Sequence, residues 1–441
     1  MPMPSNHPGH DVAVGQARHA DASTAARLAA RQALDQLRLT PHCYRQPNPD
    51  PAREPAQKPA WLLAFAGGQH DPAAILEGLR AELGPLPVIG GSGTGIITAQ
   101  GAHSSGYECG LMLFSQALAP AAIIRVAGLE VDEAAAGRAL GQQLNALALG
   151  PERLVLLFYD SVNNKTCPPS LHLCSRLLDG LHQTLGTDPP LILGAGTLTD
   201  LEMSDSYLFD GEGMTRHTAV AVVLPAGLRG HNTIMHGCLP SSDFLEVTRI
   251  DGARLLEIDG QPALRVVEER LRLTREELLA RQPLPSITIG EKHGDLYAPF
   301  NDDQYVNRLV VAIDPTEEAL ILTEADFHPG SRIQIMSYAP ERMIASAQTQ
   351  TEALRERLTG LQPVFALYID CAGRSMAFAG LDEDESAPVR ELIGALCPLL
   401  GFYSGIEIAP FIGRARPLDW TGVLLVCTAG APTSSGQTTA N

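Results

Sequence analysis

Apolar residues along the chain gather into short, nearly continuous runs, and three of these runs open the same cassette. Each copy predicts an apolar strand, a helix, a second short strand, a Gly-rich polar loop and another apolar strand. The first copy takes residues 61–65, a helix over 71–83, 87–89, the loop 90–95 and 110–114. The second takes 154–158, a helix over 170–185, 191–193, the loop 194–197 and 219–224. The third takes 364–369, a helix over 386–396, 399–400, the loop 401–405 and 422–426. The opening strands show no polar alternation, which predicts strands covered on both faces or central in a sheet. A unit that repeats and ends each time in a polar loop predicts a binding cleft built from those loops.

The helices carry start signals. Asp71 can accept from the free N–H groups of a first turn, and Pro72 takes the first helical position, where no N–H is missed. Ile75, Leu76, Leu79 and Leu83 then form an inward face. In the third copy Ser386 and the acidic run 382–385 occupy the same place, favoured by the helix dipole. Further strands are expected at 122–127 and 233–237, following copies one and two, and at 305–313, 319–323 and 332–336 before copy three. Helices are expected at 132–147 and near 341–358. An Ala-rich helix over 21–39 would set Ala25, Leu28, Ala29, Ala33 and Leu37 near one face. The expected architecture is α/β in two domains, layered mixed sheets with helices, built from three related strand-helix-strand-loop-strand cassettes. Residues 1–20 and 429–441 lack periodicity and read as flexible tails. Residues 21–255 form an internally duplicated first domain and 256–428 a second. The seam between Gly252 and Tyr305 includes Arg281-Gln-Pro-Leu-Pro285.

Composition narrows the function classes. The chain has 441 residues, 45% of them apolar and 19% charged, which marks a globular protein long enough for more than one domain. A formal charge of −18 argues against a nucleic-acid partner. No apolar run reaches the ~20 residues of a membrane span, and the start has neither a positive n-region nor an apolar h-region, so a cytoplasmic protein is expected. Eight cysteines without a CxxC pair read as reduced thiols.

Candidate chemistry sits in the loops. The 90–95 loop lacks the Gly-Lys-Ser/Thr of a P-loop and leads into Ile96-Ile97-Thr98, so it presents no helix N-terminus to a phosphate. It is either a tight turn or a small-molecule site lined by Ser92 and Thr94, with Thr197 recurring in copy two. Asp160, Asn163, Cys371 and Arg374 follow the first strands, at the carboxyl ends where ligands gather in open α/β sheets. Asn163 can equally be a turn residue. Arg374 is either a clamp for a carboxylate or phosphate, or an ion-pair partner of the run 382–385. Cys371 beside Arg374 is either a structural thiol or one with a lowered pKa, able to act as a nucleophile, as in acyl transfer, or as a metal ligand. Glu407, between Ile406 and Ile408, either faces solvent or reaches a polar cleft, and Tyr403 lies in the same loop. No metal site is expected: His172 and Cys174 are placed on different faces of one helix. Haem ligation stays open, since one axial histidine needs no motif, with His217, His231, His236 and His293 as candidates.

Several stretches together resemble the FIST family, whose members pair a FIST N with a FIST C domain in bacterial sensory proteins. These are Pro87-Val-Ile-Gly-Gly-Ser-Gly-Thr-Gly95; His236-Gly-Cys-Leu-Pro240, Val247-Thr248 and Leu256-Glu-Ile-Asp-Gly-Gln-Pro-Ala263; and Cys371-Ala-Gly-Arg374 with 401–410. The resemblance covers roughly residues 20–428. The chain departs from it at Gly91, where the family carries a cysteine, and at Ile406-Glu407, where a Gly-Glu pair is usual. The resemblance implies a sensor that binds a small polar ligand, such as an amino acid, and signals to a partner on a separate chain. It also implies a rival: some relatives bind haem and report nitric oxide to a separate histidine kinase.

Overall fold

A computed structural model describes residues 11–39, 58–280, 287–379 and 384–430. The parts of the expected tails at 1–10 and 431–441, and the seam segment 281–286, lie outside the described residues.

The opening apolar runs become central strands, as their lack of alternation requires. The first repeat comprises β1 (Val12–Arg18), β2 (Pro59–Gly67), β3 (Val88–Gly93), the hairpin β4 (Ile96–Thr98) and β5 (Gly101–His103), and β6 (Glu108–Ser115). Helices α1 (Ala22–Leu39) and α2 (Pro72–Leu83) belong to it. The second comprises β7 (Ala122–Ala127), α3 (Glu133–Ala146), β8 (Leu154–Asp160), the small ladder β9 (Val162–Asn163) and β10 (Ser170–Leu171), α4 (Cys174–His182) and β11 (Leu191–Thr197). It ends with the hairpin β12 (Leu208–Asp210) and β13 (Met214–Thr215), then β14 (Thr218–Val223).

The third repeat begins with β15 (Leu228–Met235) and is interrupted by a lobe of its own. That lobe holds β16 (Leu239–Pro240), β17 (Leu245–Asp251), β18 (Arg254–Ile258), β19 (Gln261–Pro262), α5 (Ala263–Leu271), α6 (Arg275–Leu279), β20 (Ile287–Lys292), β21 (Tyr305–Asp314), β22 (Ala319–Leu322) and β23 (Arg332–Ser337). The repeat resumes with α7 (Pro340–Arg357), β24 (Pro363–Cys371), α8 (Met376–Ala379), α9 (Ala387–Leu392) and β25 (Leu399–Ser404). The hairpin β26 (Ile406–Phe411) and β27 (Arg414–Leu418), then β28 (Gly422–Ala429), complete it.

The three sheets share one strand order: β1-β6-β2-β3, β7-β14-β8-β11 and β15-β28-β24-β25. Each is extended by a hairpin lent from another repeat. β12-β13 of the second repeat adds to β3, β26-β27 of the third adds to β11, and β4-β5 of the first adds to β25. The exchange is cyclic, so every sheet edge that would expose unpaired backbone next to β3, β11 or β25 is covered by a neighbour. The two-domain expectation is thereby refined: the third cassette is the equal of the first two, and its first strand β15 lies upstream of the inserted lobe.

One apolar core joins the inner faces of all three sheets. It includes Trp61, Phe65 and Phe114 from the first, Phe158 and Val220 from the second, and Phe365, Phe402 and Leu425 from the third. Phe65 stacks on Phe402 with centroids 3.7 Å apart and meets Phe158 edge-on at 5.5 Å. The outer faces are covered by α1 and α2, by α3 and α4, and by α7 and α9, each over a separate cluster. The lobe has its own core around Leu255, Ile289, Leu320 and Ile335.

Local signals held where they were strongest. Asp71 caps α2 by accepting from Ala73 N at 3.2 Å, with Pro72 at the first position, and Ile75, Leu76 and Leu79 are buried. Three expectations give way. Residues 12–18, read as tail, form β1 and pair with β6 along its length. Leu28 is exposed, because α1 packs through the closely set Ala25, Ala26, Ala29, Ala30 and Ala33 instead. The expected strand at 233–237 lies mostly in β15, which pairs with β28 and so opens the third sheet rather than closing the second.

Gly90, Gly194 and Gly401 occupy equivalent places, opposite Ala64, Leu157 and Tyr368. A Cβ there would sit 2.1, 1.7 and 2.5 Å from those residues' carbonyl oxygens. Gly194→Ala is therefore expected to destabilise the fold by about 1–3 kcal/mol. Gly213→Ala, at a site with open space, should change stability by no more than about 0.5 kcal/mol, both read by urea denaturation.

Candidate functional site

The carboxyl ends of the first strands converge, as the loop pattern predicted. The last pairs of the three parallel ladders are Gly67 with Gly93, Asp160 with Thr197, and Cys371 with Ser404. Their loops interlock through backbone bonds. Thr94 N donates to Tyr403 O at 3.0 Å, Tyr403 N to Gly95 O at 3.1 Å, Gly405 N to Gly196 O at 2.9 Å, and Ser92 N to Tyr207 O at 3.1 Å.

The convergence leaves the predicted polar side chains packed rather than open. Ser92, Asp160, Thr197, Arg374 and Glu407 are fully buried, and Cys371 and Tyr403 nearly so. Ser92 Oγ accepts from Tyr207 N at 3.3 Å, and Thr197 Oγ1 donates to Tyr159 O at 3.3 Å. Thr94 Oγ1 is buried without a protein partner. Asn163 is half-buried and accepts from Lys165 N at 3.1 Å, which is its turn role.

Arg374 resolves toward its ion-pair reading. Its Nε donates to Asp370 Oδ1 and Glu385 Oε1, both at 3.0 Å, and Nη2 donates to Glu385 at 2.5 Å. Nη1 donates to the carbonyls of His236 at 3.0 Å and Trp420 at 2.9 Å. Burial pushes both carboxyl groups up while the guanidinium pulls them back. A cation so fully committed ties β24 to α9 and to the segments before the lobe and β28; it has little left for a ligand. Burial drives the Cys371 thiol well above its ordinary value, so it lacks the thiolate character a nucleophile needs.

Glu407 is fully buried and lines neither of the two cavities described below. It sits opposite Ala195 across the β11–β26 ladder and accepts from Ser404 Oγ at 2.7 Å and Thr421 N at 3.4 Å.

Two of the cavities among the described residues lie elsewhere, and none of the nine predicted residues lines them. The larger, ≈ 550 Å³, lies among Asn232 and Thr233 on β15, His293, Asp303 and Gln304 of the lobe, Gln350 and Arg357 on α7, and the Phe411 turn. The smaller, ≈ 360 Å³, adjoins it at Gln350 and is lined by Asp302, Arg342 and Ser346 among others. Asp302 secures this seam by accepting from His236 N at 2.9 Å and Gly237 N at 3.2 Å. Sequence reasoning named His293 among these residues and missed most of the others, because they come from separated segments whose approach only the fold shows.

A porphyrin needs an apolar slot and a free axial side chain, and each haem candidate has at least one ring nitrogen engaged. His236 spends Nε2 on Asp302 O and Nδ1 on Cys238 N. His293, the one of the four on a cavity wall, pairs with Glu291 at 2.8 Å, among amide and charged side chains. His231 bonds Thr428 Oγ1 at 3.1 Å. His217 contacts His172, with Nδ1 and Nε2 3.0 Å apart. His172 precedes α4 rather than riding on it, so the helix-face argument against a metal there does not apply.

Glu407 supplies a pH test. Burial raises its folded value well above the carboxylate range, so the folded protein keeps a proton that the unfolded chain releases near pH ~4.3. The stability present below that pH is lost as pH rises, by up to about 1.4 kcal/mol per unit. Glu407→Gln should remove this loss: in urea denaturation its stability relative to the parent should grow between about pH 4 and about pH 7.

Comparison with known proteins places the chain. The FIST N domain description matches residues 60–261 and the FIST C domain description matches 263–410. Uncharacterized proteins MT0656 and Rv0628c of Mycobacterium tuberculosis are each 27% identical over 239 residues, 53% of this chain and 60% of theirs. Uncharacterized protein Mb0898c of Mycobacterium bovis is 28% identical over 212 residues, 48% of this chain and 53% of its own. The matched region thus spans less than two thirds of these relatives. With both descriptions covering most of the chain in the expected order, the protein belongs to the FIST family.

Proposed function

We propose that the protein is a sensor that binds a small polar ligand, an amino acid or similar metabolite, in the ≈ 550 Å³ groove between α7 and the lobe, and signals to a separate protein. FIST domains are associated with sensory and signalling roles.

The groove carries the reading because its walls come from different bodies of the fold. β15 and α7 belong to the third repeat, residues 293–304 to the lobe, and the Phe411 turn to the hairpin lent to the second sheet. A ligand bridging them changes how firmly lobe and repeats are held together, which is a differential contact a partner can read. The chemistry suits a zwitterion. The exposed Arg357, held by Nη2 donating to Asn232 O at 3.1 Å, can pair with a carboxylate. Asp303 can take an ammonium, Gln304 and Gln350 offer amides, and Ile234, Ala353 and Ile412 offer apolar contact.

Thermal-shift screening of amino acids and related metabolites tests the reading. A ligand at a hundredfold excess over Kd should add about 2.7 kcal/mol of stability. Arg357→Ala, an exposed change, should abolish that gain while leaving the unliganded protein's stability unchanged within about 0.5 kcal/mol. No stabilisation by any compound, or full stabilisation in the variant, would contradict it.

A further inference from the structure

Asp160, His172 and His217 meet at the carboxyl end of β8, in the second repeat and apart from the groove. One ligand atom from each lies within 4.8 Å of the others. We infer that these three side chains form a binding site for a divalent transition-metal ion of the zinc type.

Each residue comes from a different segment and is held in place by backbone. Asp160 ends β8 and accepts from Ser206 Oγ and His217 N. His172 N donates to Ser161 O at 2.9 Å. The His217 carbonyl accepts from Gly128 N at 3.0 Å and Leu129 N at 3.1 Å. The three are 0, 1 and 7% exposed. His172 Nε2 lies 3.0 Å from His217 Nδ1, which lies 3.8 Å from Asp160 Oδ2. Two imidazoles bound to one tetrahedral ion at ~2.0–2.1 Å hold their nitrogens about 3.3 Å apart. The ion therefore replaces the proton shared between the rings with a small outward movement.

The far side of His172 is built for the same purpose. Its Nδ1 is buried, without a hydrogen-bond partner, and lies 3.6 Å from Glu133 Oε1. Once Nε2 takes a metal, Nδ1 must carry the ring proton, and a carboxylate behind it is the usual support. The charges of Asp160 and Glu133 offset that of the ion. Two nitrogens and one oxygen leave a fourth position open.

The other repeats show that the fold does not itself demand these residues. Ladder register aligns Asp160 with Gly67 and Cys371. It also aligns His217, next before Thr218, with Tyr107 and Trp420. Trp420 shares the left-handed backbone of His217, φ 54° against 50°. The second and third repeats thus share the bend, and of the two only the second fills it with imidazole beside a carboxylate.

The test is titration of the full-length, metal-stripped protein with Co²⁺. The expected result is the visible d–d absorption of four- or five-coordinate Co²⁺, saturating at one equivalent and displaced by Zn²⁺. The band should be lost in a folded His172→Gln/His217→Gln double variant. No such absorption in the parent, or an undiminished band in the double variant, overturns the site. Should the double variant fail to fold, Glu133→Gln decides. A roughly 10–100-fold weaker Co²⁺ affinity supports the site and an unchanged affinity overturns it.

Discussion

The contact on which the rest depends is the meeting of three sheets over one apolar centre, where Phe65, Phe158 and Phe402 each arrive from a different repeat. An open α/β sheet with helices on one face has a second face to bury. Here each repeat solves that by packing against the other two. The lent hairpins follow from the same constraint: once the sheets meet, the turn after β3, β11 or β25 already stands beside a neighbour's edge, and pairing there satisfies backbone that would otherwise be buried unbonded. Close approach then dictates glycine opposite the central strand in all three copies.

This arrangement explains why most of the polar side chains predicted in those loops are buried. Where strand-end loops converge, their polar groups become internal fastenings. Arg374 with Asp370 and Glu385, and Glu407 with Ser404, are such fastenings. The two cavities described lie where the symmetry is broken, at the inserted lobe, and the proposed metal site lies where one repeat departs from its siblings. Function is thus sought in the differences between copies, while stability resides in what they share.

The legible part of the fold was whatever is local. Strands buried on both faces wrote continuous apolar runs, and the Asp71-Pro72 start of α2 was readable from two residues. Three things were not local. β1 is short and Ala- and Gly-containing, and only its pairing with β6 distinguishes it from a tail. The hairpin exchange joins segments such as Ile96–Thr98 and Leu399–Ser404, about three hundred positions apart, with no complementary pattern to announce it. Arg374, Cys371 and Glu407 were correctly placed at strand ends, but a strand end says nothing of how completely neighbours fill it. His172 was read on a helix that in fact starts at Cys174, which hid its approach to His217.

If the cyclic core is the central constraint, the first and third repeats cannot lose structure independently. The two tryptophans report on them separately: Trp61 lies in the first sheet and Trp420, buried against Tyr338, just before β28. Urea unfolding of Trp420→Phe and Trp61→Phe variants, each followed by its remaining tryptophan, reads the two repeats in turn. Once each curve is referred to that variant's far-ultraviolet circular dichroism, the fluorescence and dichroism transitions should coincide in both. A fluorescence transition well separated from the loss of secondary structure in either variant would contradict the account.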